Sequence, residues 1–235
     1  MIEPLNAADL AALAALDTPT ICNALELVMP ERRALGFNRR PLLAPFPSLK
    51  PVIGYARTVT IRAREPHPRS KAEARANRLA YYAYIAGAPR PSLCLMQDSD
   101  GPDAGFGAFW GEVQSNVHRA LGCIGVVTDG AIRDIDAWAS GFMALAGSIM
   151  PSHAHVDIVD FGQTVSVAGM MVSSDDLVHA DRHGAVVIPR AAVGKLPEVA
   201  ALLARREKVL LDACKSPNFG IEDLRQAFAR SDEIH

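Results

Sequence analysis

The sequence predicts an α/β fold in which a parallel, helix-covered part meets an all-strand layer. Three observations predict it. Apolar strand-like runs alternate with helical patterns between residues 92 and 146. Short strands separated by Gly and Asp turns fill residues 156–189. Helical patterns occupy both ends of the chain. Together these specify mixed sheet layers with helices.

The elements follow in order. Residues 7–16 form an Ala/Leu helix. Asp17 or Thr18 caps a second helix that runs to about Val28, with Pro19 in its first turn, where a missing N–H costs nothing. Residues 30–51 carry five prolines and read as a long irregular segment. Residues 52–63 alternate and are β-branched, so they form a strand. A helix over 70–86 ends near Gly87. Residues 92–97 form a buried strand, followed by a Gly-rich loop over 98–111 and a helix over 112–121. Residues 123–128 form a second buried strand, closed by Asp129 and Gly130. A short helix over 132–140, a strand over 142–146, the short strands of 156–189, and helices over 191–214 and 220–230 complete the chain.

At 235 residues the chain is expected to form one domain, 1–235, large enough to bury a core without disulfides. A net charge of −2, with 49% apolar and 21% charged residues, argues against disorder and against general binding to nucleic acid or anionic membrane. Cys22, Cys94, Cys123 and Cys214 lie far apart, which excludes a C-x-x-C metal or redox motif. Glu3 and Asp9 occupy a start that has no basic region ahead of an apolar run. No run approaches the roughly 18 apolar residues of a membrane span. The expected location is the cytoplasm.

Residues 110–134 carry the chemistry. A Gly-rich loop enters a helix at Gly111, the helix leads into a buried strand, and the strand ends in a turn carrying Arg133 and Asp134. Ligands of open α/β sheets bind outside the carboxyl ends of strands. The free N–H groups of Val113 and Gln114 at a helix start suit a carboxylate, and Arg133 suits the same carboxylate in a bidentate fork. Asp134 suits Mg²⁺ or Mn²⁺, which prefer oxygen donors and keep several waters. Glu112 is placed to hold a metal-bound water.

These residues resemble the RraA-like proteins, which include the 4-hydroxy-4-methyl-2-oxoglutarate/4-carboxy-4-hydroxy-2-oxoadipate aldolases. The shared pattern is Gly111-Glu112, then Gly125-Val126-Val127-Thr128-Asp129-Gly130, then Arg133-Asp134. Similarity continues through Pro151-Ser152, Asp160-Phe161-Gly162 and the stretch from Ala180 to Pro189, and an early match begins at Thr18-Pro19. The resemblance implies a swivelling β/β/α domain and a homotrimer or hexamer with sites at subunit interfaces. It implies a lyase that uses Mg²⁺ or Mn²⁺ to cleave small 4-hydroxy-2-oxo acids to pyruvate, with oxaloacetate decarboxylation as a side activity. By position, Asp134 would bind the metal. Arg133, with the backbone at Gly111, Val113 and Gln114, would hold pyruvate, and Glu112 would orient a water. A further acidic ligand is expected from a neighbouring subunit's C-terminal helix, with Glu207 as the candidate. Several members have Asp where this chain has Glu112. A Schiff-base aldolase would instead need a desolvated Lys, and Lys50, Lys71, Lys195, Lys208 and Lys215 all sit in polar or helix-surface contexts.

Other readings carry less. Gly105, Gly107 and Gly111 make G-x-G-x-x-x-G, a near miss for a dinucleotide fingerprint. His153 and His155 would share one face of a strand, as in zinc hydrolases, but read as interface or polar-strand histidines. His118 reads as a surface or subunit-contact residue. His179 and His183 flank Asp181 and read as turn and capping groups. Residues 57–78 hold seven basic and two acidic side chains, without the interleaved aromatics of a nucleic-acid groove. The rival of another class is a non-catalytic, protein-binding regulator of ribonuclease activity.

Overall fold

Capping residues set where the N-terminal helices begin. In the computed structural model, which describes residues 4–235 and so leaves Glu3 outside, Asn6 accepts a hydrogen bond from the Asp9 N–H and opens α1 (Ala7–Ala14). Asp17 accepts from the Thr20 N–H and opens α2 (Thr18–Val28), with Pro19 in its first turn. Residues 30–51 hold one 3₁₀ turn, Pro30–Arg32, and two isolated bridges, Phe37 to Val186 and Leu43 to Ala146. The proline-rich segment is therefore tied down without joining a sheet as a strand.

β1 (Val52–Arg62) is buried along most of its length, as a strand covered on both faces must be. α3 (Lys71–Ala86) starts at a capping box in which Ser70 and Glu73 satisfy each other's backbone N–H groups, and it stops at Gly87. β2 (Ser92–Asp98) runs parallel to β1 from Tyr55 opposite Ser92 to Ile61 opposite Asp98. The loop that follows is not wholly irregular, because β3 (Ala108–Trp110) forms within it. α4 (Glu112–Ala120) then crosses to β4 (Cys123–Thr128), which pairs in parallel with β2.

The helix predicted over 132–140 does not form. Its start is drawn into β5 (Ala131–Ile132), paired in parallel with β3, and Asp134 takes a left-handed φ of +53° that no α-helix can contain. A single 3₁₀ turn, Ile135–Ala137, is all that remains. β6 (Met143–Leu145) extends the main sheet beside β4, and β7 (Ser148–Ile149) pairs with β5.

The second half is strand, as its turns predict. β8 (Asp157–Phe161) is followed by a hairpin of β9 (Val165–Val167) and β10 (Met170–Val172). Ala168 and Gly169 between them both have positive φ, +48° and +85°, the twist a two-residue hairpin loop requires. β11 (Leu177–Asp181) and β12 (Gly184–Ile188) form another hairpin. α5 (Leu196–Ala213) and α6 (Ile221–Asp232) close the chain.

The main sheet runs β12-β11-β1-β2-β4-β6. β1 meets antiparallel β11 along Val52–Tyr55 and antiparallel β8 along Val59–Arg62, so two strands share its length and the sheet curls. A small parallel sheet, β3-β5-β7, stands beside it. One core lies between these sheets and the helices α3 and α4, around Tyr81, Trp110 and Phe142. Another packs α2 and α5 on β11 and β12 through Ile21, Leu177 and Leu196. Among the described residues no single helix is long and apolar enough to cross a membrane.

Candidate functional site

The small parallel sheet sets the site. The Trp110 indole is fully buried, donates to Met96 Sδ at 3.1 Å and lies 4.4 Å from the His118 ring. That fixes the end of β3. The Arg133 N–H donates to the Trp110 carbonyl at 2.9 Å, which places the Arg133-Asp134 turn beside the residue that opens α4. That residue is Gly111, and the reason is space. Its backbone is extended, and a Cβ there would sit 2.6 Å from Asp134 Oδ2 and 3.2 Å from Arg133 Cγ. The missing side chain lets the pair approach the helix start without displacing the Asp134 carboxylate.

Asp134 is held in a left-handed conformation, tolerated by Asp more readily than by most residues but still costing about 1–2 kcal/mol. Its Oδ2 accepts from the Glu112 N–H at 3.4 Å and lies 3.5 Å from Arg133 Nε. The N–H groups of Val113 and Gln114 occupy the first turn of α4, where no intrahelical partner exists. The Gln114 side chain is held from behind, accepting from the Tyr82 hydroxyl at 2.9 Å.

These residues line a cleft of about 480 Å³, the size of a small-molecule site. Gly111, Val113, Gln114, Arg133 and Asp134 contribute to its wall. Glu112 is exposed, and its side chain is not among those lining the cleft. Glu207 is exposed on α5 and also lies outside the lining of this chain's cleft.

Other lining residues come from stretches that the sequence reading gave bland roles. His67, Arg78, His153 and His155 face the same space. The two later histidines do not lie on a strand as predicted. They flank Ala154, whose φ of +46° makes a turn. His155 N–H donates to the Ala63 carbonyl and Ala108 N–H to the Ser152 carbonyl, so the turn is pinned between the end of β1 and β3.

His118 also departs from expectation. It is fully buried, bonded through Nε2 to the Tyr81 hydroxyl at 2.7 Å and through Nδ1 to the Gln114 carbonyl at 2.8 Å. Burial drives its pKa down to about 4. Its neutral ring is part of the packing behind the first turn of α4.

The glycines of the near-miss dinucleotide motif have packing roles. A Cβ on Gly105 would meet Ser148 Oγ at 2.6 Å, and one on Gly107 would meet the His153 carbonyl at 2.7 Å. The loop is held by buried Asp98, which accepts from Gly105 N–H at 2.8 Å and from Asp100 N–H at 3.1 Å, and whose carboxyl is raised in pKa mainly by burial. Asp129 accepts from the N–H groups of Asp98 and Ala168 and so ties loops together. Asp181 accepts from Thr18 N–H and His183 N–H, and His179 bonds Thr18 Oγ1, the capping arrangement expected of that group. Much of the basic 57–78 stretch is internally paired. Arg57 bonds Asp175 at 2.6 Å and stacks on Tyr84, Arg69 bonds Asp157 at 2.7 Å, and Arg64 pairs with Asp103.

Among the described residues no three His, Cys, Asp or Glu side chains converge as a ready-made metal cage. Asp134 is the one carboxylate lining the cleft. This donor set fits Mg²⁺ or Mn²⁺, which are commonly held by one or two carboxylates with waters and substrate oxygens. It does not fit zinc, which takes three or four protein ligands, because His67, His153 and His155 line the cleft without converging on one point.

Comparison with known proteins gives the family and the fold. Residues 18–187 match the family described as RraA-like: Aldolase/RraA. An uncharacterized protein of Methanocaldococcus jannaschii is 28% identical over 103 residues, 43% of this chain and 50% of that protein, so the match spans about half its length. A crystal structure of an uncharacterized protein from Pseudomonas syringae superposes with a TM-score of 0.72 at 21% identity, covering 98% of this chain and 97% of that one. Streptomyces coelicolor RraAS2, described as an unusual member of the RNase ES inhibitor RraA protein family, gives 0.68 at 20% identity, over 88% and 98%. The structure is thus an RraA-type fold, and the chain, matched by the family over residues 18–187, belongs to the RraA-like family, which includes both aldolases and RraA regulators.

Proposed function

We propose that this protein is a divalent-metal-dependent carbon–carbon lyase that cleaves 4-hydroxy-2-oxo acids to pyruvate and also decarboxylates oxaloacetate. One observation carries the reading: Arg133 and Asp134 fold against the first turn of α4 through the space left by Gly111, and all line one cleft.

Each residue then has a role. The Arg133 guanidinium takes the substrate's 1-carboxylate in a fork, and the Val113 and Gln114 N–H groups donate to the same anion. Asp134 holds Mg²⁺ or Mn²⁺ together with waters. The bound ion supplies Lewis acidity for the negative charge that develops on the 2-oxo side as the C3–C4 bond opens. Glu112, exposed at the first position of α4, would hold a water that takes up the 4-hydroxyl proton. A neighbouring subunit of a trimer or hexamer would contribute Glu207 as a further acidic residue. The same site serves decarboxylation, because both reactions leave an electron pair on C3.

The test is pyruvate release from 4-hydroxy-4-methyl-2-oxoglutarate and from oxaloacetate, with Mg²⁺ or with EDTA. Release that depends on the metal is expected. Absence of release from both substrates overturns the reading in favour of a protein-binding regulator of ribonuclease activity, in keeping with the RNase ES inhibitor family of which RraAS2 is described as an unusual member.

A further inference from the structure

The two walls that make the site are joined by one buried hydroxyl. Ser115 lies near the start of α4 and is fully buried. Its Oγ is 3.1 Å from the Ala139 nitrogen and 3.0 Å from the Glu112 carbonyl oxygen. A backbone N–H can only donate and a carbonyl can only accept, so Oγ accepts from Ala139 and gives its single proton to Glu112. Serine suits a helix less well than alanine, and a buried hydroxyl is costly unless bonded. The two bonds are what this residue supplies.

Ala139 ends the segment that leaves Asp134. The Arg133 N–H, bonded to the Trp110 carbonyl at 2.9 Å, holds the entrance of that turn. The Ala137 N–H donates to the Asp134 carbonyl at 3.1 Å, the Trp138 N–H to the Ile135 carbonyl at 3.3 Å, and the Ala139 N–H then reaches Ser115 and holds the exit. On its other side α4 is seated on α3. The Tyr82 hydroxyl donates to Gln114 Oε1, and the Gln114 carbonyl accepts from His118 Nδ1, whose Nε2 accepts from the Tyr81 hydroxyl. Those bonds do not fix the distance from α4 to Asp134. The direct contacts of the Asp134 carboxylate, with the Glu112 N–H at 3.4 Å and Arg133 Nε at 3.5 Å, both use Oδ2. A cation on this carboxylate competes with them. Ser115 does not line the cleft, so its bridge survives when ligands bind.

We propose that Ser115 is a positioning residue that holds the Asp134 turn and the first turn of α4 at one separation, so that a cation on Asp134 and a carboxylate on Arg133 and the α4 N–H groups bind as one chelate and tighten each other. This rests on the lyase reading above. With the walls fixed, a ligand that spans them orders nothing further. Without the bridge the same ligand must draw the walls together, and part of the mutual gain is lost.

The test is Mn²⁺ affinity, read from the free-ion electron paramagnetic resonance signal without and with saturating pyruvate, against a protein-free control. The ratio of the two dissociation constants measures the coupling between the ligands. For the unaltered protein the ratio should be about tenfold or more. In Ser115→Ala it should fall to about threefold or less, while affinity for Mn²⁺ alone stays within about twofold. Ser115→Thr, whose hydroxyl can bond the same i−3 carbonyl, should restore the ratio. Hydrogen exchange at the Ala139 amide, measured without metal, should quicken in Ser115→Ala and stay slow in Ser115→Thr. If Ser115→Ala does not fold, Ser115→Cys takes its place, with a smaller fall in the ratio because a thiol is a weak donor and acceptor. An unchanged ratio, whether or not Mn²⁺ affinity itself falls, would overturn the role of Ser115 and leave the lyase reading standing. So would a ratio still low in a Ser115→Thr protein whose Ala139 amide exchanges slowly, since packing would then be the cause. Failure of the unaltered protein to bind Mn²⁺, or binding that pyruvate does not tighten, would remove both.

Discussion

Gly111 decides whether Arg133 and Asp134 can reach the first turn of α4. Its φ is extended, so the requirement is for space rather than for an unusual backbone. Gly111→Ala places a Cβ 2.6 Å from Asp134 Oδ2, and the pair must move. The expected result is a fall in kcat/KM of at least about tenfold, since displacements near 1 Å cost up to about a hundredfold, with a stability loss of only about 1–3 kcal/mol. Steady-state kinetics and urea titration of the same variant check both numbers. Arg133→Ala is expected to raise KM and lower kcat together, because the guanidinium both anchors the substrate and holds it in the orientation that the transition state requires. Gly111, Val113, Gln114, Arg133 and Asp134 were legible in the sequence because a strand–helix–strand unit brings them together within 24 residues. That Arg78 and His155 line the same cleft was not. They come from α3 and from the turn before β8, and only the folded chain sets them beside Arg133.

The long elements followed their patterns, and the short ones did not show. β1, α3 and β4 carry clear periodicity and good caps, and each appears close to its predicted bounds. β3, β5 and β7 have three, two and two residues, too few for any period, yet they build the site. Pairing with its neighbours turned the start of the predicted 132–140 helix into a strand. Behind α4, the buried Tyr81–His118 contact has a measurable consequence. His118 is neutral in the folded protein because its pKa falls from 6.5 to about 4. As pH drops below 6.5 the unfolded chain takes up a proton that the folded chain refuses. Stability should therefore be lost between pH 6.5 and 4, by up to about 3 kcal/mol from this group. His179, whose pKa is also lowered chiefly by burial, adds in the same direction. Urea unfolding across this range checks it, and His118→Gln should flatten the dependence. An unchanged slope in that variant would contradict the assignment.

On the proposed lyase reading, the site is completed by assembly. A single chain presents one carboxylate in the cleft, Asp134, while Glu207 lies exposed on α5. The lyase reading predicts a trimer or hexamer of the 25.2 kDa chain, measurable by sedimentation equilibrium. It also predicts that Glu207→Gln lowers activity without altering that mass. A monomer with full activity would remove the shared-site part of the account. The RraA-type fold was legible in the sequence through a few motifs at strand ends. Which surface Glu207 meets was not, because nothing in the local sequence around it marks a subunit contact.

The decisive comparison is between the unaltered protein and Asp134→Asn, assayed for pyruvate released from 4-hydroxy-4-methyl-2-oxoglutarate in Mg²⁺. The account predicts release by the unaltered protein, its loss in EDTA, and its near abolition in a variant that keeps the shape of the side chain and removes its charge. Equal rates from the two proteins, or a rate indifferent to EDTA, would contradict it.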